Sequence, residues 1–285
     1  MKFAGIIAEY DPLHNGHAWQ LAQAKALGAE RVAVAMSCSL VQRGALPLLP
    51  EAVRTRSALT CGADLVFALP APCACAGAEA FARAGVALLA AAGCDGLVFG
   101  AETPDAALLM EAAELLDSCS YRAALKAQLA GGARSFAAAR QAAAAQLASD
   151  ERVAALLDKP NNNLAVEYCR AIRSLAPRME AYPLPRQGAN HGEALHSAHG
   201  QFASASALRK LWAEGGADAV APYVPEAVFP LYQEAYAAGQ YTDFSAAGRC
   251  ELALLRSACR GKAPFADISG VSEGLEHRLE AAVRT

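Results

Sequence analysis

Strand-like and helix-like patterns alternate through the first hundred residues, and this alternation restricts the fold more than any other feature. Residues 3–8 form a short continuous apolar run, the pattern of a strand buried on both faces. A helical stretch over 17–27 follows and stops at Gly28, a residue free to adopt the left-handed conformation that ends helices. A Val-rich run over 31–36 predicts a second strand. Residues 37–50, with Ser, Gly and two Pro, read as a loop. The pattern repeats with a helix over 51–61 ending at Gly62, a strand over 64–69 closed by Pro70 and Pro72, a helix over 77–92 and a strand over 96–99. Strands joined by helical crossovers predict a parallel sheet with helices on both faces, an α/β Rossmann-like architecture. Ligands of such sheets bind beyond the carboxyl ends of the strands.

After residue 104 the character changes. Residues 105–157 are Ala-rich with helical spacing, interrupted near Gly131-Gly132. Runs such as Ala142 to Ala145 suit close-packed helices, Ala being the best helix former. Helices are also expected over 163–175, 204–212, 226–237 and 245–258, with a late strand over 179–182. The expected organisation is a nucleotide-binding α/β domain over 1–200, carrying a helical insertion at about 104–158, and a mainly helical region over 201–285. With 54% hydrophobic and 19% charged residues, the chain has material for a large core and is not disordered.

The charge balance, 25 basic against 28 acidic residues, excludes a chain-wide basic coat for nucleic acid but allows a local basic patch. The N-terminus has no long apolar segment of a secretory signal, and no apolar stretch reaches the roughly 18 residues of a membrane span. Nine scattered cysteines, the closest pair being Cys73 and Cys75, lack zinc-site spacing and read as reduced, mostly buried thiols of a cytoplasmic protein.

The densest chemical signal is Glu9-Tyr10-Asp11-Pro12-Leu13-His14-Asn15-Gly16-His17, where the first strand hands over to a helix. First-turn amides of a helix lack internal partners and the helix dipole favours an anion there, so the element reads as a phosphate site, the blander reading being a loop with two surface histidines. His14 and His17 add directed donors. Gly16, without a Cβ, lets a flat base approach the backbone. No carboxylate or thiol stands beside the histidines at a ligand-like spacing, so no resident metal is expected.

This H-x-G-H element is the signature of the nucleotidylyltransferase superfamily with its HIGH-type adenylate chemistry. Val41-Gln-Arg-Gly44, Gly93-Cys-Asp-Gly-Leu-Val-Phe-Gly-Ala-Glu102, Pro160-Asn-Asn-Asn-Leu-Ala-Val-Glu-Tyr168 and Ser204-Ala-Ser-Ala-Leu-Arg209 follow in order. Together they resemble the tRNA(Met) cytidine acetate ligase family, and the resemblance implies a truncated or divergent member of it. It implies ATP, with Mg²⁺ accompanying the nucleotide, acetate and elongator tRNA(Met) as substrates, and formation of N4-acetylcytidine at the wobble position through acetyl-adenylate. His14 and His17 would be catalytic. ATP contact would extend over Ile7, Ala8, Glu9, Tyr10, Pro12, His14, Asn15, Gly16 and His17, then Gly100, Asn161, Arg186, Ser204, Ser206 and Arg209. Asn162 is the alternative to Asn161 if the register slips by one. Blander readings are a strand-to-loop turn at Gly100, a helix N-cap within the Asn run, a solvated Arg186 and an ordinary Ser N-cap at Ser204.

Departures from the family pattern are Asp11 in place of Asn, Leu13 in place of Phe, Cys38-Ser39 in place of Gly-Asn or Gly-Asp, and Pro50-Glu51 where a Lys is common at the second position. A carboxylate at Asp11 would repel a triphosphate unless paired or metal-bound. Arg31, Arg43, Arg54 and Arg56 are candidates for one rim of an RNA site, and Arg122, Lys126, Arg134 and Arg140 for a helical basic stripe. His191, His196 and His199 have no assigned role. Two rivals fit the same residues: a nucleotidylyltransferase acting on another small acid or phosphate without tRNA, and a nucleotide- or RNA-binding relative without turnover.

Overall fold

The computed structural model of the protein describes residues 1–132, 135–185, 195–197, 200–259, 265, 268, 271 and 274–284. The strands β1 (Phe3–Ala8), β2 (Arg31–Ser37), β3 (Leu65–Leu69), β4 (Gly96–Ala101) and β5 (Glu180–Pro185) form one parallel sheet in the order β3-β2-β1-β4-β5. A short antiparallel pair, β6 (Leu195–Ser197) and β7 (Gly200–Phe202), lies outside it and has no counterpart in the sequence-based expectation. The helices in the first half are α1 (Asn15–Ala26), α2 (Glu51–Thr60), α3 (Ala71–Ala74), α4 (Ala78–Ala91), α5 (Ala106–Asp117), α6 (Cys119–Ala130), α7 (Phe136–Leu147) and α8 (Glu151–Leu156). They continue as α9 (Pro160–Leu175), α10 (Ala205–Val220), α11 (Phe229–Ala237), α12 (Phe244–Ala258) and α13 (Leu275–Arg284).

Successive strand residues point to opposite faces, and both faces are covered. Ala4, Ile6, Val32, Val34, Met36 and Val98 pack with α1, α2, α10 and α11 through Leu21, Ala58, Leu208, Trp212 and Tyr232. Ala33, Ala35, Leu97, Phe99 and Ala101 pack on the other face with α4, α5 and α9 through Val86, Leu89, Leu109, Val166 and Cys169. This two-sided burial is why the strands read as uninterrupted apolar runs.

The described residues form two compact units, Met1–Gln240 and Tyr241–Thr285. The division falls later than the boundary expected at residue 200. The reason is packing: Leu208, Trp212, Val220 and Tyr232 belong to the core beneath the sheet, and the Tyr232 hydroxyl donates to the Leu13 carbonyl at 2.8 Å. Helix α10 also runs past the expected 212. It bends at Gly216, whose φ of 69° and close approach to the Tyr236 ring (2.6 Å from a hypothetical Cβ) leave room only for glycine. In the second unit the Arg256 Nε donates to the Val283 carbonyl at 3.1 Å.

Arg54 is fully buried and does not line a rim. Its Nε donates to Leu49 O at 3.0 Å, Nη1 to Glu9 O at 2.8 Å and to Ser37 O at 2.7 Å, and Nη2 to Cys38 O. One guanidinium therefore ties the carboxyl ends of β1 and β2 to the 38–50 loop, a use of five forked donors that Lys cannot reproduce. Arg31 sits at the opposite, amino end of the sheet, where it is exposed. Arg56 faces Glu234 at 3.5 Å and Arg140 is paired with the buried Glu167 at 2.5 Å, so neither is an uncommitted cation. Arg134 lies outside the described residues. All nine cysteines are free thiols, but only Cys94 and Cys169 are fully buried, and Cys119 and Cys250 are exposed. No described helix is long and apolar enough to cross a membrane.

Candidate active site

β1 is flanked by β2 on one side and β4 on the other, so the strand order reverses there and a crevice opens beyond their carboxyl ends. A cleft of about 340 Å³ occupies this crevice. Its floor is Ile7 and Ala8 of β1, Phe99 and Gly100 of β4 and Leu184 of β5, and Glu9, Tyr10, Asp11, His14, Gly16 and His17 form one wall. Asn161, Leu164 and Tyr168 form another, with Gln42 and Ala205 at the margins.

The chain reverses sharply between β1 and α1. Tyr10 adopts φ of 49°, uncommon for a bulky residue, and its buried ring meets His17 edge-on at 5.0 Å. His14 is the N-cap of α1. Its Nδ1 accepts the Gly16 amide at 3.1 Å, while the His14 amide donates to His17 Nδ1 at 3.4 Å. The two rings stack at 3.7 Å with planes 19° apart. A ring nitrogen that accepts an N–H carries no proton, so each neutral imidazole holds its proton on Nε2. The site thus sets two stacked imidazoles at the first turn of α1. Gly16 is required for this packing, since a Cβ would stand 3.0 Å from the His14 ring.

The carboxylates of the site are held individually. Asp11 is 3% exposed; its Oδ1 accepts the Leu48 amide at 2.5 Å and its Oδ2 faces Arg209 Nη1 at 3.1 Å. Burial pushes its carboxyl above the ordinary value, against the lowering influence of the Leu48 amide, Arg209 and Arg54. Glu9 accepts the Gln42 amide at 2.6 Å, and burial raises its carboxyl as well. Glu102 takes the Asn161 side-chain amide at 2.6 Å and the Asn162 backbone amide at 2.7 Å. Ser204 caps α10 by accepting the Ala207 amide at 3.2 Å, with the Ser206 hydroxyl 3.0 Å away. Among the described residues no group of three His, Cys, Asp or Glu is arranged to hold a metal.

The HIGH Nucleotidyl Transferase family model matches residues 1–285. The tRNA(Met) cytidine acetate ligase of Syntrophotalea carbinolica is 36% identical over 288 residues, covering 100% of this chain and 67% of the relative. The enzyme of the same description from Caldanaerobacter subterraneus subsp. tengcongensis is 34% identical, covering 99% and 70%. The chain belongs to the tRNA(Met) cytidine acetate ligase family. Apo Thermotoga maritima TmcAL superposes on the whole chain with a TM-score of 0.88 at 30% identity, over 68% of its own length. The same protein bound with alpha-thio ATP gives 0.86 at 30% identity, over 67% of its length.

Within this cytidine acetate ligase scaffold, the cleft gathers Ile7, Ala8, Glu9, Tyr10, His14, Gly16, His17, Gly100 and Asn161. Ser204 and Ser206 flank its margin at Ala205, and Arg209 reaches it through Asp11. Pro12 and Asn15 do not line it; the Asn15 side chain donates to Pro222 O at 3.2 Å. Gly100 lies inside β4, in register with Leu184, so it is not a turn residue. The Asn run is not an N-cap: α9 begins at Pro160, and Glu102 supplies the cap from outside. Asn161 faces the cleft, whereas the buried Asn162 is committed to Thr103 through two hydrogen bonds. Arg186, His191 and His199 lie outside the described residues, and the side chain of His196 does too.

Asp11 is a paired carboxylate, and Glu51 opens α2, where an acidic side chain suits the helix dipole. Cleft residues outside the sequence-based expectation include Gln42, Phe81, Leu164, Tyr168 and Leu184. Leu164 and Tyr168 were legible, because they follow Asn161 at the i+3 and i+7 spacing of one helix face. Gln42 lies within the quoted 41–44 motif, whereas Phe81 and Leu184 arrive through tertiary packing with no local signal.

Proposed function

We propose that this chain activates acetate with ATP as acetyl-adenylate and transfers the acetyl group to N4 of the wobble cytidine of elongator tRNA(Met), in the cytoplasm. The observation that carries this reading is the stacked His14–His17 pair at the amino end of α1, whose Nδ1 atoms both accept backbone amides. Acetate is already an anion and attacks the α-phosphorus without a protein nucleophile or base. The P–O bond to pyrophosphate breaks as the acetyl P–O bond forms. The protein holds two anions in line and offsets charge developing on phosphate oxygens, the work of preorganised donors.

The triphosphate would lie along the amino ends of α1 and α10, near Ser204, Ser206 and Arg209. Mg²⁺ would enter with the nucleotide, held by phosphate oxygens and water. Both Asp11 oxygens already have protein partners, so Asp11 would not be a ligand. In the second step the cytidine amine would take the acetyl group and AMP would leave; the base must unstack to reach it.

Acetate-dependent ATP–pyrophosphate exchange, followed by acetylation of a tRNA(Met) transcript, tests the proposal. Exchange with another small acid but not acetate would favour the tRNA-independent rival. ATP binding without exchange under any acid would favour a relative without turnover.

A further inference from the structure

Resting on the ligase reading above, we propose that Glu9 is the general base of the acetyl-transfer step. Of the two steps only the second releases a proton. The exocyclic nitrogen of cytosine, its lone pair delocalised into the ring, becomes acidic as its bond to the acetyl carbon forms. The bond from that carbon to the AMP oxygen breaks with its electron pair remaining on phosphate. The proton from nitrogen then passes to the Glu9 carboxylate.

Glu9 follows β1 directly and lines the cleft half-buried. The Gln42 amide at 2.6 Å fixes Oε1, and Oε2 makes no hydrogen bond or ion pair to a described residue. The other carboxylates of the site are used differently. Asp11 is divided between the Leu48 amide and Arg209, and Glu102 caps α9. Glu9 alone among these three keeps an oxygen for a ligand.

A carboxylate beside a polyanion site hinders phosphate binding unless it is neutralised, so neutralising phosphate charge in the adenylation step does not account for Glu9. Among the nearby cations, Arg209, which is shared with Asp11, and Arg43 on the 38–50 loop both weaken its hold on a proton, whereas Arg54 is engaged by backbone carbonyls. Its electrostatic surroundings otherwise comprise Asp11, which favours its protonated form, the Gln42 amide, which opposes it, and the Tyr168 hydroxyl of α9. Burial strengthens the hold of Glu9 on a proton and brings it nearer to a base useful at neutral pH.

The test compares wild type and Glu9→Gln, which retains an acceptor for the Gln42 amide. Acetate-dependent pyrophosphate exchange reads the first step. Transfer from preformed acetyl-adenylate to a tRNA(Met) transcript reads the second. The ratio of transfer to exchange should fall about 10²-fold or more in the variant. Wild-type transfer should decline toward acid pH as Glu9 becomes protonated, and Glu9→Gln should lack that decline. A parallel fall of both rates, or transfer at the wild-type rate because departing AMP takes the proton itself, would overturn the assignment. Wild-type protein inert in both assays would instead overturn the ligase reading, and this inference with it.

Discussion

Arg209 and Asp11 stand 198 positions apart, yet the Arg209 guanidinium donates to the Asp11 carbonyl at 2.7 Å and to its carboxylate at 3.1 Å. With the Leu48 amide on the other Asp11 oxygen, one side chain joins the β1–α1 turn, the 38–50 loop and α10. Asp11 therefore shares the charge of Arg209 before any phosphate arrives. A guanidinium so paired offers less net attraction to an anion than an isolated one, but its position is fixed.

The pair contributes a pH dependence to stability. Burial raises the Asp11 carboxyl above its ordinary 3.8, so the folded state holds that proton more tightly than the unfolded chain. Its stabilising contribution is complete below that ordinary value and is lost as pH climbs through the raised one. Asp11→Asn removes the titration. The stability of wild type relative to Asp11→Asn should fall as pH rises from about 4, then level off. Urea unfolding at stepped pH measures this, and a difference that grows with pH would show the ion pair outweighing burial.

Arg209→Ala strands a buried carboxylate and should cost on the order of 3 kcal/mol. Asp11→Asn with Arg209→Ala should cost less than the sum of the single changes, because the stranded charge is gone. Chemical denaturation of the four proteins in this cycle gives the coupling directly.

His14 caps α1 and in the proposed reaction would also donate to phosphate, and two substitutions separate the roles. His14→Ala should lose about 1 kcal/mol of stability and slow pyrophosphate exchange about 10²- to 10³-fold. His14→Asn keeps a good N-cap and should recover the stability but not the exchange. Recovery of both would reduce His14 to a cap.

Glu102 sets the orientation of Asn161. A carboxylate only accepts, so the Asn161 amide nitrogen faces it and the carbonyl oxygen remains for a ligand. Asn161→Asp would set two carboxylates against each other and should weaken ATP binding about tenfold or more, the scale of one charge-assisted hydrogen bond. Adding Glu102→Gln should restore part of that loss in calorimetric titrations.

Arg54 marks where a local reading of charge fails. Its sequence neighbours Glu51 and Arg56 suggest a solvated helix face, yet its guanidinium closes four backbone carbonyls in the interior. Arg54→Lys should therefore destabilise nearly as much as Arg54→Ala, by several kcal/mol if each stranded carbonyl costs about 1–3 kcal/mol. Thermal unfolding of the two variants decides it.

The sequence by itself determined the alternating elements, the parallel sheet and the location of the His14–His17 element at the end of β1. Those features rest on short-range chemistry: two-sided burial makes apolar runs, and glycine and proline punctuate them. Only the tertiary structure decided that Asp11 is paired, that Asn161 and not Asn162 faces the cleft, and that α10 and α11 belong to the first compact unit. Each depends on which distant group meets a polar atom or an apolar face once the sheet has closed over its helices, and a linear pattern carries no record of such a meeting.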